Sequence, residues 1–396
     1  MAEDVTSTHS GRGGPAVRRG PHRITGAVVS LVGCLALFAC EGDDPVTPND
    51  GRDDPGVIAF GFAVPDAITV IGPDEFLFLE RRGLVYRYHA GEVTELSGIP
   101  RTRMSDVYGG LLDLSLHPDF ETNRLVYLAY NDRSYDLAVA RFTLDGDRAE
   151  GLEVIFESDD FSIGSRIVWE DDEHFFLSSG IGGDPYPDPG PQDLDSDVGK
   201  IHRLMADGTV PADNPLLGGR PSPTSVWSYG HRNPQGLHYD VADGSLYAVE
   251  HGPLGGDELN VVEAGGNYRL LDFSYGLNYD GSPVSHMSEA EAATVSVLPL
   301  VYWGPEFRVA PSGLHRVTAG TRTSWEGSFL VGALYRQDVL RYDPNTGETE
   351  VALSGVGRVR DIAQLPDGTF LLAVDAGSPD RSRTGRIIRV DPGATP

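Results

Sequence analysis

The stretch PDGTFLLAVD, residues 366–375, decides the fold, because its two halves recur along the chain. Pro, Asp and Gly in the first half favour a tight turn, and the apolar second half favours a β-strand. The same order of turn and apolar run occurs five more times, at FLFLE (76–80), LVYLAY (125–130), FFLSSG (175–180), LYAVEH (246–251) and FLVGAL (329–334). This recurrence predicts a repeated β unit.

The spacing of the six runs indicates the size of that unit. Their first residues are 49, 50, 71, 83 and 41 residues apart, which suits a four-stranded propeller blade with insertions. Two further runs, GLVYRY (83–88) and VLRY (339–342), fit neighbouring strands of a meander. We therefore predict an all-β fold, a six-bladed β-propeller of four-stranded antiparallel blades over residues 57–396. Six unrelated strands of a mixed β fold are the alternative.

The charge balance excludes some classes of partner. The chain has 59 acidic and 31 basic residues, a formal net charge of −28, which disfavours binding to nucleic acid. An acidic surface suits metal cations or neutral ligands instead. The 49 glycines and 28 prolines predict many turns rather than long helices.

The N-terminus has the pattern of an export signal over residues 1–39. Arginines at positions 18, 19 and 23 precede a mostly apolar run from Ile24 to Ala39. The sequence LFAC (37–40) resembles a bacterial lipobox, which would place a lipid on Cys40, followed by an acidic flexible tether over residues 40–56. We predict a lipid-anchored protein of the bacterial periplasm or cell surface. An uncleaved membrane anchor is the alternative, although the run is short for one.

The two widest intervals enclose Gly-, Asp- and Pro-rich segments, 180–199 and 250–288, and long irregular loops in compact domains usually carry function. The second segment begins with EHGPLGGDELN (250–260), where glycines make carbonyls available and Glu250, Asp257 and Glu258 add carboxylates. Hard cations such as calcium bind oxygen sets of this kind. A plain acidic surface turn is the alternative.

Three arginines are candidates for binding an anionic, oxygen-rich ligand. Arg232 and Asn233 lie in the glycine-flanked turn YGHRNPQG (229–236) and could present a planar fork and an amide. Arg358 and Arg360 alternate, so a strand would direct both guanidinium groups to one face. Solvated arginines are the alternative in each case. The sequence contains no dinucleotide fingerprint, P-loop, zinc-ligand spacing or nucleophile elbow.

Nine stretches in a fixed order resemble the soluble quinoprotein glucose/sorbosone dehydrogenases, whose fold is a six-bladed β-propeller and whose cofactors are pyrroloquinoline quinone (PQQ) and calcium. The resemblance covers roughly residues 60–392. The stretches are GGLLDLSLHPDF (109–120), VGKIHRL (198–204), DGTVPADNPL (207–216), YGHRNPQGL (229–237), EHGPLGGDELN (250–260), GGNY (265–268), YGLNYDG (275–281), VAPSGL (309–314) and GRVRDI (357–362).

The resemblance implies two calcium sites. The backbone carbonyls of Gly252 and Pro253 would hold the calcium that touches the quinone. Glu258 and Tyr268, together with Asp280, would belong to a neighbouring structural calcium site. Calcium would then act as a Lewis acid on the quinone carbonyl.

The resemblance also implies which residues hold the cofactor and what the reaction is. Arg232 and Asn233 would contact the quinone, with Arg232 favouring negative charge on its oxygens, while Arg358 and Arg360 would clamp its carboxylates. The expected activity is oxidation of an aldose or related sugar or alcohol at the anomeric carbon, with electrons passed to an acceptor.

Three positions depart from the family pattern. Ser162 stands where the family has its catalytic His, Tyr108 where it has Gln or Glu, and Tyr335 where it has a Lys that contacts the quinone. One hypothesis is an active enzyme that uses another base, for instance Asp159 or Asp160. The other is a catalytically impaired calcium-binding propeller that serves as a binding module of the cell envelope.

Overall fold

The computed structural model of the protein describes residue 54 and residues 56–104, 108–181, 190–269, 272–284, 287–318, 325–375 and 383–393. The predicted export signal, Cys40 and nearly all of the predicted tether lie outside these described residues, as do residues 182–189 of the first predicted functional loop. None of the helices in the described ranges has the length and apolar character that crossing a bilayer requires.

Twenty-four strands form six sheets of four strands each, here called blades 1 to 6. Blades 1 to 5 contain β2–β5, β6–β9, β10–β13, β14–β17 and β18–β21, and blade 6 contains β22–β24 with β1. In chain order the strands are β1 (Val57–Phe62), β2 (Pro65–Gly72), β3 (Glu75–Glu80), β4 (Leu84–His89), β5 (Glu92–Glu95), β6 (Leu111–Leu116), β7 (Leu125–Asn131), β8 (Leu137–Asp145), β9 (Arg148–Glu157), β10 (Ile167–Trp169), β11 (His174–Ser179), β12 (Lys200–Met205), β13 (Val226–Tyr229), β14 (Pro234–Asp240), β15 (Ser245–Glu250), β16 (Asp257–Val262), β17 (Val301–Trp303), β18 (Pro311–Arg316), β19 (Phe329–Ala333), β20 (Val339–Asp343), β21 (Glu348–Leu353), β22 (Arg358–Gln364), β23 (Phe370–Asp375) and β24 (Gly385–Val390).

Helical structure in the described residues is confined to short turns. They are α1 (Phe120–Asn123), α2 (Glu289–Ala292) and a 3-10 turn at Pro305–Phe307. The glycine- and proline-rich composition predicted this result.

The six-bladed propeller prediction is confirmed. Each of the six apolar runs forms the second strand of a different blade, namely β3, β7, β11, β15, β19 and β23. The two runs predicted as meander neighbours form β4 and β20 and pair antiparallel with β3 and β19. The first strand of the described chain completes the last blade, because β1 pairs with β24. This exchange ties the two ends of the propeller together and closes the ring.

The second strands are continuously apolar because both of their faces are buried. On β3, Phe76 and Phe78 pack against blade 6, whereas Leu77 and Leu79 pack against blade 2. A sheet with one wet face would instead show alternating apolar and polar residues. Each fully buried Leu or Phe contributes roughly 1.5–3 kcal/mol relative to an exposed position, so the cores between blades fix their relative placement.

Candidate active site

The first strands of the blades contact one another around the centre of the propeller and are called the inner strands below; they are β2, β6, β10, β14, β18 and β22. The site lies at the end of the propeller where these strands begin. There, Nε2–H of His251 donates to the carbonyl of Pro311 (2.7 Å), and its backbone N–H donates to the carbonyl of Asn233 (3.1 Å). The residues Arg232, Asn233, His251, Arg358 and Arg360 are called the mouth below. Burial and the charge of Arg232, with smaller effects of Arg360 and Arg358, lower the pKa of His251 to about 3. The mouth therefore combines a neutral imidazole with several guanidinium groups.

A buried carboxylate holds the backbone of the mouth in place. Glu250, at the end of β15, accepts the backbone N–H of Arg232 (2.7 Å) and pairs with Nδ1 of His231 (3.0 Å). It also accepts from the side-chain amide of Asn260 (2.9 Å). These three donors hold the carboxylate in place, so the role of Glu250 is to orient the turn that carries Arg232.

Glu258 differs from Glu250 because it has fewer donors. It lies directly opposite Glu250 in the β15–β16 pair, and the amide of Asn260 donates to it at 3.2 Å. Burial of the Glu258 carboxylate and the charge of Glu250 raise its pKa to about 8. Two like charges on opposed positions destabilise a sheet, and a bound cation would relieve this repulsion.

Asp257 serves the loop rather than a ligand. One of its oxygens accepts the N–H of Gly252 (3.1 Å), and the other accepts the N–H groups of Val309 (2.9 Å) and Ala310 (2.8 Å). The sequence interpretation placed Asp257 beside Glu250 and Glu258 in a cation seat. The structure leaves Glu258 as the carboxylate of that set with the fewest hydrogen-bond donors.

Glycine is required in the loop 252–256 because the backbone packs on itself. A Cβ at Gly252 would lie 2.1 Å from the carbonyl oxygen of Gly256, and one at Gly256 would lie 2.2 Å from the backbone N of Gly276. Gly256 also has a positive φ of 69°, which other residues adopt only with strain. This packing explains the glycine-rich sequence that follows β15.

A cleft of about 270 Å³, open to solvent, joins the loop to the mouth. It brings together four residues that the sequence predicted for the site: Arg232, Gly252, Glu258 and Tyr268. Carboxylate and carbonyl oxygens of this kind fit a hard cation such as calcium. The cleft is lined by Gly230, Arg232, Glu250, His251, Gly252, Gly256, Glu258, Tyr268, Phe273 and Ser274.

Of the other two predicted members of the structural calcium site, Tyr268 lines the cleft and Asp280 does not. The hydroxyl of Tyr268 donates to the carbonyl of Val261 (2.6 Å) and accepts the N–H of Glu263 (3.0 Å), so its backbone carbonyl is the oxygen left for a ligand. Asp280 lies exposed in a turn, where its carboxylate accepts from the N–H and hydroxyl of Ser282, and it does not line the cleft. We therefore leave Asp280 out of the site proposed below.

Arg358 and Arg360 share one face of β22, since both bind the same carboxylate. Nε of Arg358 lies 3.2 Å and Nε of Arg360 lies 2.5 Å from Asp375 on the neighbouring strand β23. Arg360 also lies 3.5 Å from Asp66 of blade 1. The predicted clamp is thus held in position by carboxylates that sequence reasoning did not identify.

Ser162 is buried and fully hydrogen-bonded. It is 1% exposed, its hydroxyl donates to the carbonyl of Gly164 (2.5 Å), and it accepts the N–H of Gly180 (2.9 Å). These bonds join two backbone segments. The geometry gives Ser162 a structural role, because its proton and one of its lone pairs are used by backbone groups.

The two carboxylates predicted as substitute bases face other partners. Asp159 is exposed, while Asp160 accepts from the hydroxyl of Ser196 (2.9 Å) and the N–H of Asp197 (2.8 Å). Asp160 thereby holds the 196–197 turn. Both donors bind Oδ2 and fix the carboxylate beside this turn.

The two other departures from the family pattern are exposed aromatic residues. Tyr335 is 57% and Tyr108 is 45% exposed. Tyr335 lies at the mouth end of blade 5, where the carbonyl of the preceding Leu334 accepts from Arg358 (3.1 Å). Its ring is covered on one side by the guanidinium of Arg308, at 4.7 Å from the ring centroid.

Arg166 connects five blades beneath the mouth. Its guanidinium donates to the carbonyls of Gln235 (2.8 Å), Arg360 (2.8 Å) and Asp66 (3.1 Å), and it lies 3.3 Å from the carboxylate of Asp113. It is 6% exposed. These contacts come from blades 1, 2, 4 and 6 to a residue of blade 3, so Arg166 fixes the positions of the inner strands under the site.

Sequence reasoning missed His251, Asp375 and Arg308 as members of the site. His251 follows a predicted strand directly and stands within the quoted motif, so its position was an available signal. Asp375 ends the last of the six apolar runs, where a charged residue closes a buried strand. Arg308 is recognisable only from the packing of two segments that are distant in sequence.

Comparisons with known proteins agree with this description. The family model described as glucose/sorbosone dehydrogenase matches residues 62–389. Aldose sugar dehydrogenase YliI of Escherichia coli is 30% identical over 399 residues, covering 94% of this chain and 99% of that protein. An uncharacterized protein of Synechocystis is 36% identical over 306 residues, covering 72% and 71%. Among solved structures, the PQQ-bound form of aldose sugar dehydrogenase from Streptomyces coelicolor has a TM-score of 0.68 and 25% identity, covering 84% of this chain and 95% of that one.

Proposed function

The chain belongs to the glucose/sorbosone dehydrogenase family, and we propose that it is a PQQ- and calcium-dependent oxidoreductase that oxidises an aldose or related sugar. The observation that carries the proposal is the cleft that joins Arg232 to Gly252 and Glu258 at one end of the propeller. Oxygen groups that suit a hard cation and a guanidinium that suits an anionic, oxygen-rich cofactor meet there, which supports the proposal.

The residues of the chain divide the work as follows. The carbonyls of Gly252 and Pro253 would hold the catalytic calcium, and Glu258 with the carbonyl of Tyr268 would hold the second calcium. Arg232 and Asn233 would contact the cofactor, and Arg358 and Arg360, held by Asp375, would bind its carboxylates. When bound, PQQ would supply a hydride acceptor for the sugar carbon, and calcium would supply a Lewis acid for the quinone.

Arg232 is the residue proposed to stabilise developing negative charge. Its backbone is fixed by Glu250, and its Nη1 donates to the carbonyl of His251 (3.3 Å). A guanidinium fixed in this way needs little reorganisation when charge develops on a neighbouring oxygen.

One observation favours a second function, that of a binding module. Ser162 occupies the place of the family's base, and its hydroxyl is committed to the backbone of Gly164 and Gly180. Proton removal from a sugar hydroxyl then needs another group. A propeller that keeps the cation and ligand sites without this group would bind ligands without turnover.

Reconstitution decides between the two functions. Purified protein would be loaded with calcium and PQQ and then assayed with a panel of aldoses and a redox dye. Substrate-dependent dye reduction and a shift in the quinone absorbance would support the enzyme. Calcium binding with neither of these signals would overturn the enzyme proposal and favour the binding module.

A further inference from the structure

Arg308 and Tyr335 form a contact between a cation and an aromatic ring at the rim of the mouth. The guanidinium carbon of Arg308 lies 4.7 Å from the ring centroid of Tyr335, and Tyr335 is 57% exposed. The guanidinium thus lies over the face of the ring. A guanidinium has five N–H donors, which an oxyanion can accept.

Packing links this pair to the loop 252–256, which is the proposed cation-binding part of the site. The segment that carries Arg308 is tied to the loop 252–256, because Asp257 accepts the N–H groups of Val309 and Ala310. A Cβ at Gly255 would lie 2.4 Å from the Cα of Pro305 in the same segment. On the other side, the backbone N–H of Tyr335 donates to the carbonyl of Val309 (3.1 Å).

A second contact of the same kind shows what Arg308 lacks. Arg336 lies 4.1 Å from the ring centroid of Phe307, and its guanidinium pairs with Asp338 at 3.3 Å. Within the described ranges no hydrogen bond or salt bridge is formed by the guanidinium of Arg308. The segments Phe307–Arg308 and Tyr335–Arg336 thus exchange two arginine–aromatic contacts. The charge of Arg336 is balanced by Asp338, whereas that of Arg308 has no carboxylate partner among the described residues.

Tyr335 is more exposed to solvent than the two arginines that are proposed to bind the cofactor. The side chains of Arg358 and Arg360, proposed to bind the cofactor, are 29% and 13% exposed and share Asp375. The ring of Tyr335 stands farther into solvent. A ligand that enters from solvent can therefore reach the ring of Tyr335 without displacing the ion pairs of Arg358 and Arg360 with Asp375.

We propose that Arg308 and Tyr335 form a carboxylate-binding subsite and that the preferred substrate is an acidic aldose, a uronate, rather than a neutral one. A guanidinium and a carboxylate match in a planar, two-bond geometry, and the ring of Tyr335 offers a flat apolar surface beside it. The inference rests on the proposed dehydrogenase function.

The test compares glucuronate with glucose, which differ in the carboxylate. In protein loaded with calcium and PQQ, we expect a higher kcat/KM for glucuronate. Arg308→Gln should lower kcat/KM for glucuronate by about 10- to 100-fold, as expected for loss of a charged hydrogen-bonded pair, and change that for glucose by less than about 3-fold. The matched control is Arg336→Gln, which removes the neighbouring arginine and should leave the glucuronate-to-glucose ratio unchanged.

A binding measurement keeps the inference separate from turnover. Calorimetric titration of glucuronate into the wild type and into Arg308→Gln, without electron acceptor, should show affinity that the substitution removes. If neither sugar is oxidised but this difference is found, the enzyme proposal fails and the carboxylate subsite stands. Equal preference for both sugars in the wild type, equal losses for both in Arg308→Gln, or weaker PQQ binding with an unchanged sugar ratio would each overturn the inference.

Discussion

Glu250 and Glu258 occupy directly paired positions on β15 and β16, and one side-chain amide, that of Asn260, donates to both carboxylates. Glu250 has further donors in the backbone of Arg232 and the ring of His231. Burial of the Glu258 carboxylate and the charge of Glu250 both disfavour its ionised form, which raises its pKa to about 8. This asymmetry makes Glu258 the carboxylate that a cation would stabilise.

Replacing Glu258 with Gln should change calcium binding and stability in opposite directions. Gln removes an ionisable group whose charged form is disfavoured by burial and by Glu250, so we expect the metal-free variant at pH 7 to be at least as stable as the wild type. Calcium at 100 times its Kd should stabilise the wild type by about 2.7 kcal/mol, and we expect this gain to be largely lost in Glu258→Gln. Thermal unfolding in calcium and in EDTA measures both effects.

Asp280→Asn is the matched control for that prediction. Asp280 lies in an exposed turn, so the calcium-dependent gain should persist in this variant. A full calcium response in Glu258→Gln, or its loss in Asp280→Asn, would show that the cation site has been assigned to the wrong carboxylate.

Replacing Ser162 with Ala should affect stability more than catalysis. The substitution removes the acceptor of the Gly180 N–H and the donor to Gly164, and a buried unpaired group costs about 1–3 kcal/mol. We expect the free energy of unfolding in urea to fall by that amount, while the turnover rate changes by less than about 3-fold. If turnover instead fell by about two orders of magnitude with normal stability, Ser162 would belong to the catalytic machinery.

The propeller was predictable from the sequence because its signal is local and repeated. Each run from Phe76 to Phe370 carries its own turn, and burial on both faces makes it continuously apolar. The sequence EHGPLGGDELN did not show which of its carboxylates hold the loop and which one is left for a cation. Only the folded chain shows that Asp257 is used by the N–H groups of Gly252, Val309 and Ala310, whereas Glu258 is not used in this way.

The partners of the arginines at the site were also beyond the sequence pattern. Arg358 and Arg360 were predicted to share a face from their alternation, which depends on strand geometry alone. Their common partner Asp375 lies on the next strand of the blade, and Arg308 meets Tyr335 through two loops. No spacing rule gives such pairs, because strand register and loop packing determine them.

Arg232→Lys should separate the shape of the group from its charge. Lys keeps the positive charge but loses the planar fork, so we expect kcat/KM with PQQ to fall by about 100-fold and the absorbance of bound quinone to change. Arg220→Lys is the control, because Arg220 pairs with Asp195, whose side chain is 84% exposed. Unchanged absorbance and kinetics in Arg232→Lys would remove Arg232 from the cofactor site.

Arg166→Met should destabilise the whole propeller. The substitution leaves carbonyls of three blades without this donor and leaves Asp113 buried without its partner, and breaking a buried pair in this way costs about 3–5 kcal/mol. Burial already raises the pKa of Asp113 to about 7, so loss of Arg166 should raise it further. The double variant Arg166→Met/Asp113→Asn should recover part of the lost free energy of unfolding in urea, and no recovery would show that the pair is not coupled.

The acid sensitivity of the propeller should depend on His238, which lies on β14 and contacts the ring of His315 (5.8 Å). Burial, followed by the charge of His315, lowers the pKa of His238 to about 3. The unfolded chain binds this proton near pH 6.5, so the unfolded state gains protons that the folded state does not accept. The stabilising effect of the neutral ring is therefore complete above about pH 6.5 and is lost as the pH falls toward 3.

Replacing His238 with Phe isolates this effect, because Phe has an aromatic ring but no titrating nitrogen. The free energy of unfolding of His238→Phe should fall less than that of the wild type between pH 7 and pH 4, by about 3 kcal/mol. Urea unfolding at both pH values measures the difference, with His89→Phe, at a side chain that is 60% exposed, as the control. Identical pH dependence in the wild type and His238→Phe would show that the acid sensitivity arises elsewhere.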